Sequence, residues 1–381
     1  MAVSRNPSGT GGENLSSWPA ASHTNHPAKI SRLNYAPPQE LAVLCESAAI
    51  AAVRFEAEMV ADISPLAAVL LRSEAASSSQ IENLSASARS ILMAEIGDTT
   101  RQNATLIAAN TKAMMNAIVG TEAVTRTTIL DAHKTLMASE EHQNPGRFRT
   151  EPVWIGGQSP VNAAFVGVDA EAIPEFVQDL VDYCARTDIP VLVQAAIAHA
   201  QFETIHPFTD GNGRTGRVLV HQILRATGTL QRVALPLSGA LLGNVRNYYL
   251  ALDEYRAGNP APIISLFANS IFNAIENGQE LAKDIAVVEQ TWLSQIRLRS
   301  DSGARRLLEY ALRQPVFSAA IAIKDLQLTS LNFYRYAQTL TDSGILIRSK
   351  FHRDSDVWRA PLVIDAMDAF AARCGFRKPG Y

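Results

Sequence analysis

The stretch that most constrains the fold of this chain is residues 206–217, with the sequence HPFTDGNGRTGR, which follows a segment that is apolar on nearly every side. That apolar segment, residues 190–204, predicts a buried central helix. Asn212 lies between two glycines, and a second helix is predicted from about Asn212 to Ala226, with Gly228 just past its end. Residues 206–217 are therefore expected to form a turn after the first helix and the start of the second helix.

The glycine-flanked turn has the features of an anion-binding site. Gly211 and Gly213 let the backbone approach an anion closely. The helix that starts near Asn212 directs its free N–H groups and the positive end of its dipole to the same point. Arg214 and Arg217 are three residues apart, so they share one helix face, and their guanidinium groups suit phosphate oxygens.

Two further side chains supply a metal ligand and a base. Asp210 offers a carboxylate for Mg²⁺, which keeps several waters and needs few protein ligands. His206 is a candidate general base near neutral pH. The segment thus contains the groups needed to hold the phosphates of a nucleotide and to move a proton beside them. Taken singly, the histidine and the turn are also typical of an ordinary surface loop.

Other phosphate-binding motifs fit these residues less well. Gly211, Gly213 and Gly216 formally match the dinucleotide-binding fingerprint GxGxxG, but no strand precedes them and no acidic residue lies near position 233. The glycines are not followed by GK[ST], so the Walker motif is excluded.

Length and composition limit the class of protein. A chain of 381 residues predicts two or three domains, and 47% hydrophobic residues exclude a mostly disordered chain. The apolar runs are too short to span a membrane, and the N-terminal residues lack the apolar core of a signal peptide, so we expect a cytoplasmic protein without membrane contact. The three scattered cysteines form no metal or disulfide pattern and are expected to pack in the core.

The chain divides into four predicted regions, with a hairpin candidate at 146–167. They are a mobile tail at 1–35, an N-terminal helical region at 36–110, a central region at 111–283, and a C-terminal region at 284–381. In the last region, helices predicted at about 303–313, 317–326 and 329–343 precede a strand, a polar turn and a strand over 345–358. This order is typical of a winged helix. Residues 281–381 carry 15 Lys and Arg against 10 Asp and Glu, which permits contact with nucleic acid.

Residues 206–217 match the pattern HxFx[DE]GNGRxxR at every specified position, so the chain resembles the Fic-domain proteins. The resemblance implies a mainly α protein with a helical Fic catalytic core at 111–283, a β-hairpin flap and a C-terminal winged-helix domain. It also implies an enzyme, a nucleotidyltransferase that uses Mg²⁺ and moves AMP from ATP to a Ser, Thr or Tyr hydroxyl of a target protein. Pyrophosphate would be the leaving group.

The resemblance assigns a role to each polar residue of the motif. His206 would deprotonate the target hydroxyl, Phe208 would anchor the loop and Asp210 would bind Mg²⁺. The nucleotide phosphates would be held by Gly211, Asn212, Gly213, Arg214 and Arg217.

Outside the motif, the hairpin at 148–157 resembles the flap that binds a target segment by strand addition, with Val153, Trp154 and Ile155 at its edge. Burial of Trp154 in the core is an equal alternative. Tyr248 and Tyr249 fall where the family places adenine contacts. For each of these tyrosines, packing in the core is the other role to consider.

A second resemblance concerns Ser78 to Asn83, SSQIEN, which is similar to the inhibitory pattern [ST]xxxE[GN] of Fic proteins. Ser78 and Glu82 share one helix face. The resemblance implies that Glu82 pairs with Arg217 in the γ-phosphate site and holds ATP unproductively. Without this resemblance, Glu82 would be interpreted as a solvated carboxylate on a helix surface.

Several alternatives stay open at this level. The same site would serve a deAMPylase, and the chain would also suit a DNA-binding regulator that senses nucleotide. For the C-terminal region, two roles are equally supported: DNA binding, and contacts in a dimer or with the target. Besides a target protein, the chain could modify itself, and it could form a homodimer.

Overall fold

The computed structural model describes residues 14–15, 26–59, 63–120, 123–155, 163, 165–351 and 355–374. The first half is helical between short strands. Its elements are β1 (Asn14–Leu15), β2 (Asn34–Tyr35), α1 (Gln39–Glu58), α2 (Ile63–Ile81), α3 (Ala88–Glu95), α4 (Gln102–Val119), α5 (Arg126–Leu136), β3 (Trp154–Ile155) and β4 (Phe165–Val166). The parallel β1–β2 pair and the antiparallel β3–β4 pair form two separate sheets.

The second half continues with helices and ends in a small sheet. Its elements are α6 (Ile173–Cys184), α7 (Val191–Ile205), α8 (Asn212–Ala226), α9 (Leu237–Gly243), α10 (Val245–Arg256), α11 (Ala261–Gln295), α12 (Gly303–Arg313), β5 (Val316–Ser318), α13 (Ala319–Leu326), α14 (Ser330–Asp342), β6 (Ile347–Phe351), β7 (Ser355–Arg359) and α15 (Pro361–Arg373). The prediction of a mainly α fold is confirmed. Within the described ranges, no helix is both long and apolar enough to cross a membrane.

Helix α7 is the central element, as predicted from residues 190–204. Every residue after Val191 is buried, because alanine, valine, leucine and isoleucine cover all sides of the helix. Helix α8 packs along α7, and Gly216 permits the close approach. A Cβ atom at this glycine would lie 3.0 Å from Cδ1 of Phe202 and 3.1 Å from Nδ1 of His199. The close packing of α8 on α7 thereby fixes the two ends of the turn that joins them.

Part of the predicted tail is ordered. Asp179 of α6 accepts hydrogen bonds from the backbone N–H of Ile30 at 2.6 Å and from the hydroxyl of Ser31 at 2.6 Å, and the side chain of Ile30 is fully buried. Residues 30 and 31, which the sequence assigned to a mobile tail, thus contact α6. This is a long-range contact with a carboxylate about 150 residues away, which local composition does not reveal.

Helix α11 crosses a predicted boundary between regions. The sequence divided the chain between residues 283 and 284, whereas α11 runs without a break from Ala261 to Gln295. Leu281, Ile285 and Trp292 are buried at helical spacing on both sides of that boundary, so burial of one face explains the continuation.

The C-terminal elements follow the predicted order with one correction. Residues 316–318 form strand β5 instead of the start of a helix, because Phe317 pairs with Trp358 of β7. Helix α13 begins only at Ala319, after the Ser318 hydroxyl has accepted a hydrogen bond from the N–H of Ile321. The three strands form an antiparallel sheet in the order β5-β7-β6.

The cysteines are free thiols, as expected. Cys45 and Cys374 are buried in the core, and Cys184 is partly buried.

Candidate active site

The turn between α7 and α8 is shaped by two left-handed residues. His206 ends α7 with φ of 51°, and its backbone N–H donates to the carbonyl of Phe202 at 2.9 Å. Gly211 has φ of 75° directly before the first residue of α8, Asn212. Glycine adopts this conformation without strain, whereas the positive φ at His206 is uncommon for a residue with a side chain.

Asn212 closes the turn with its side chain. Its Oδ1 accepts a hydrogen bond from the backbone N–H of Phe208 at 2.9 Å, and its Nδ2 donates to the carbonyl of the same residue at 2.8 Å. The amide side chain of Asn212 is therefore committed to the loop, and only its backbone N–H is left to face an anion. The phenyl ring of Phe208 is fully buried, which agrees with its expected role as an anchor.

His133 of α5 supports the same turn and was not predicted from the sequence. Its imidazole stacks on the Phe208 ring with centroids 3.7 Å apart. Its Nε2 lies 3.1 Å from the carbonyl oxygen of Asp210, and its Nδ1 accepts from the N–H of Gly146 at 2.9 Å. These partners require a neutral ring with the proton on Nε2. Burial lowers the pKa of His133 to about 4, which favours that neutral form.

Buried neutral histidines make the stability of the fold pH-dependent. An unfolded histidine binds a proton below about pH 6.5, whereas His133 in the folded chain does so only near pH 4, so stability falls as pH falls between those values. When the pH falls from 7 to 5, the free energy of unfolding should decrease in the wild type. In His133→Gln, we expect this decrease to be about 2 kcal/mol smaller. Urea unfolding at the two pH values measures this. The exposed His142→Gln serves as the matched control, and an equal pH slope in both variants would contradict the prediction.

Arg149 joins the turn to the strands of the predicted flap. Its Nε donates to the carbonyl of His206 at 2.8 Å, and its other nitrogens donate to the carbonyls of Glu151 and Val168. Because the guanidinium group is buried among these carbonyls, it fixes the backbone at His206 relative to the ends of β3 and β4.

The His206 side chain is nearly buried, with 13% of its surface exposed. Its Nδ1 lies 3.3 Å from the carbonyl oxygen of Glu203, to which it donates a hydrogen bond in the tautomer that leaves Nε2 free to accept a proton. Burial is the main cause that lowers the pKa of His206 to about 4. The ring is thus neutral at pH 7, as a general base must be.

Arg214 is buried at the start of α8 with free donors. Within the described ranges, its Nε and Nη1 have no hydrogen-bond partner. Its Nη2 lies 3.7 Å from the sulfur of Met137 and 3.8 Å from the carboxylate of Asp210. Burial lowers the pKa of this guanidinium. A buried cation with unpaired N–H groups beside a helix N-terminus fits a polyanionic ligand.

Arg217 is bound by the end of α2, which is 135 residues away in sequence. Its Nη2 donates to Oε1 of Glu82 at 2.7 Å and to the carbonyl of Ser78 at 2.7 Å, and its Nε donates to the Ser78 hydroxyl at 2.8 Å. Burial opposes the charge of Arg217, but the negative charge of Glu82 and other neighbours raises its pKa above the usual value. The structure therefore brings Ser78, Glu82 and Arg217 together.

Glu82 also lies against the first turn of α8. A Cβ atom at Gly213 would be only 2.0 Å from Oε1 of Glu82, so the absence of a side chain there admits the carboxylate. The Glu82 side chain keeps 35% of its surface exposed. The carboxylate consequently fills the space beside Gly213 in the first turn of α8.

A second contact that the sequence analysis missed holds α2 in place. Oε1 of the buried Glu74 accepts from the Ser238 hydroxyl at 2.6 Å and lies 3.1 Å from Nε2 of His221. His221 stands one turn after Arg217 on α8. Glu74 stands two turns before Glu82 on α2, so the two helices are joined at two levels.

The two tyrosines occupy different surroundings. Tyr248 is buried, and its hydroxyl lies 2.7 Å from Nε2 of His199 and 3.5 Å from Nη1 of Arg217. Tyr249 is 46% exposed, and its hydroxyl donates to the carbonyl of Ile81 at 3.2 Å. Tyr248 is thus part of the polar core beside Arg217, while the ring of Tyr249 is open to solvent beside the end of α2.

The residues predicted as flap and as metal ligand lie at the surface. Trp154 pairs with Val166, Ile155 pairs with Phe165, and Trp154 is 41% exposed rather than buried. The carbonyl of Val153 accepts from the N–H of Gly167 at 3.0 Å. The Asp210 side chain is 56% exposed, so its carboxylate fits a hydrated Mg²⁺, which takes few protein ligands.

Residues 123–224 match the model of the Fic/DOC family. "Protein adenylyltransferase fic-1" of Caenorhabditis elegans is 33% identical over 140 residues, which are 37% of this chain and 26% of that protein. "Protein adenylyltransferase Fic" of Drosophila sechellia is 35% identical over 100 residues, which are 26% of this chain and 20% of that protein. The match thus spans about a quarter or less of the length of these relatives.

The likeness of fold extends further along the chain. The crystal structure of a Fic family protein from Desulfovibrio desulfuricans G20 superposes with a TM-score of 0.58 at 19% identity, and covers 86% of this chain and 97% of that one. The residues matched by the Fic/DOC family model include the motif at 206–217, and the fold of the chain is similar to that of a solved Fic family protein.

Proposed function

We propose that this chain is a protein adenylyltransferase, which moves AMP from ATP to a Ser, Thr or Tyr hydroxyl of a target protein and is inhibited by its own Glu82. The main support is the juxtaposition, within twelve residues, of a neutral buried histidine, a helix N-terminus and two buried arginines. These groups suit phosphoryl-type transfer, which depends on positioning and on preorganised donors around the phosphorus.

In the proposed reaction, Nε2 of His206 takes the proton from the target hydroxyl as the hydroxyl oxygen attacks the α-phosphorus. The P–O bond to the β-phosphate breaks, and pyrophosphate leaves. The backbone N–H groups at Gly211 to Gly213 and the free donors of Arg214 hold the phosphate oxygens. Mg²⁺, bound at Asp210, would neutralise phosphate charge. The flap strand at Trp154 would bind the target segment by strand addition.

The proposed inhibition follows from the contacts of Arg217. While its guanidinium is paired with Glu82, it does not bind the γ-phosphate, and the carboxylate repels that group. ATP then binds with its α-phosphorus in an unproductive position. Release of Glu82 would return both the cation and the space in front of α8 to the nucleotide.

The test uses ATP carrying label on either the α- or the γ-phosphate. Purified chain is incubated with Mg²⁺, ATP and a cell lysate, and proteins are separated under denaturing conditions. Retention of the α-label without the γ-label is expected, and mass spectrometry then identifies the target hydroxyl. Retention of the γ-label would show phosphate transfer instead and would overturn the proposal.

Removal of AMP at the same site is the second candidate. The partly exposed Glu82 carboxylate stands beside the anion-binding turn, where it would place a water for attack on the phosphorus of a modified target. A target that already carries AMP distinguishes the two directions. Loss of AMP with the wild type but not with Glu82→Gly would favour the deAMPylase.

For the C-terminal region we propose a winged helix that contacts protein rather than DNA. Two cations of strand β6, Arg348 and Lys350, both pair with Asp356 of the neighbouring strand β7. The outer face of α14 carries the exposed apolar residues Leu331 and Tyr334. We expect no DNA retention in a gel-shift titration, whereas salt-sensitive binding would favour the DNA-binding regulator. Sedimentation of the same sample shows whether the contacted protein is a second copy.

A further inference from the structure

Glu203 is a buried carboxylate beside the proposed base that the mechanism has not yet used. It lies in the last turn of α7, three residues before His206, and its Oε2 is 3.9 Å from Nδ1 of that ring. Its backbone carbonyl is 3.3 Å from the same nitrogen. Within the described ranges, Oε1 of Glu203 has no hydrogen-bond partner. A buried carboxylate oxygen without a partner is costly and is therefore more often found at a functional site than in a core.

The charged surroundings of Glu203 come from three helices, the turn after α7 and the residue after α2. Burial raises its pKa to about 7, and the charge of Glu82 adds to this effect, whereas Arg217 and Arg256 oppose it. The titratable and charged groups around the carboxylate are His199 on α7, His206 in the turn, Arg217 on α8, Tyr248, Tyr249 and Arg256 on α10, and Glu82 after α2. His199 stays neutral near pH 7, because burial lowers its pKa to about 3. Glu203 is thus the group of this cluster that changes charge close to neutral pH.

We propose that Glu203 is a positioning residue for AMP transfer: its backbone carbonyl orients the His206 ring through Nδ1, and its carboxylate, 3.9 Å from Nδ1, balances the positive charge that the ring gains at Nε2. The inference rests on the proposed transfer reaction. No bond forms or breaks at Glu203. The proton passes from the target hydroxyl to Nε2, the oxygen lone pair bonds to phosphorus, and the electrons of the broken P–O bond leave with pyrophosphate.

The need for this carboxylate follows from the burial of His206. Its ring resists protonation in the resting protein, since burial lowers its pKa to about 4, yet it must carry a proton in the transition state. A negative charge 3.9 Å from Nδ1 stabilises that imidazolium, and the interaction is strong because little water screens it. Once the ring is charged, it lowers the pKa of Glu203 in turn, so the two groups titrate as a pair.

The kinetic test is made in the Glu82→Gly protein, in which transfer is expected to be measurable. Glu203→Gln should lower kcat about tenfold while the KM for ATP stays within about twofold, because the amide keeps the shape but loses the charge. The rise of kcat with pH around neutrality should flatten, and Glu203→Asp should restore part of it. Glu254→Gln, which neutralises an exposed carboxylate on α10, is the matched control. A Glu203→Gln variant with unchanged kcat and pH profile overturns the inference.

A second measurement needs no change at Glu203. The Cε1–H signal of His206 is assigned by comparison with His206→Asn and followed by NMR from pH 5 to pH 9. We expect an inflection near pH 7 in the wild type and a lower midpoint in Glu82→Gly, where one neighbouring negative charge is gone. Absence of any inflection between pH 6 and pH 8 overturns the inference, even if Glu203→Gln fails to fold. If Glu82→Gly transfers no AMP while the inflection is present, the proposed function has failed but the pairing with Glu203 stands.

Discussion

Replacing His206 with asparagine is expected to reduce AMP transfer by about 10² to 10⁴-fold, the range for loss of a general base. The Nε2 atom of His206 is the proton acceptor of the proposed reaction, and asparagine has no comparable base. Asparagine tolerates the left-handed backbone at this position better than alanine, so it preserves the turn. The rate of α-label incorporation into protein measures the effect. His206→Ala should be equally inactive and also less stable.

ATP binding separates loss of the base from loss of the site. The phosphate contacts are assigned to the start of α8 and its arginines, so nucleotide affinity by calorimetry should stay within about threefold in His206→Asn, well under the tenfold that 1.4 kcal/mol represents. An asparagine variant that transfers AMP at the parental rate would show that another group accepts the proton. A variant that no longer binds ATP would mean that the turn itself had collapsed.

The second large effect is expected from Glu82→Gly, which should raise AMP transfer by about ten- to a hundred-fold. That range corresponds to the 1.5–3 kcal/mol typical of a hydrogen bond to a charged group. The substitution removes the 2.7 Å contact with Arg217 and clears the space in front of Gly213. Arg217 keeps its two bonds to Ser78, so the guanidinium stays in place for the γ-phosphate.

The backbone tolerates glycine at this position. Glu82 follows the last residue of α2, Ile81, and precedes Asn83, which already has a left-handed φ of 61°. Glycine there does not interrupt the helix, and thermal unfolding should change little. Glu82→Gln, which keeps the length but loses the charge, should activate less than glycine. Equal transfer by Glu82→Gly and wild type would remove the case for inhibition, and activity in the Glu82→Gly/His206→Asn double variant would remove the case for the base.

Local sequence predicted the elements that depend on neighbours along the chain. Helix α8 spans Asn212–Ala226 as expected, since glycine and arginine at its start and Gly228 after its end are local signals. Helix α7 was recognised from its uniform apolar character. The strand at 316–318 was missed because its stability comes from pairing with β7, which lies about 40 residues later.

Of the supporting residues of the site, His133 gave no local signal and Glu203 gave a weak one. His133 is one histidine in an amphipathic helix, and its importance comes from the stack on Phe208 and the bond to the Asp210 carbonyl. Glu203 lies in an apolar helix three residues before the motif, where a buried acid was a detectable anomaly. Its proximity to Nδ1 of His206 depends on the left-handed turn that ends α7.

By itself, the sequence determined the chemistry of residues 206–217 and the helices on either side, because base, carboxylate, glycines and arginines act within a few turns of each other. The resemblance to Fic proteins implied Glu82 as the partner of Arg217, but only the tertiary structure shows the two side chains in contact. The packing of α2 against α8 brings Glu82 and Ser78 across 135 residues to its guanidinium, and the buried contact of Glu74 with His221 holds the two helices together. The distance between such side chains depends on how the helices pack, and it cannot be read from the spacing of the residues along the chain.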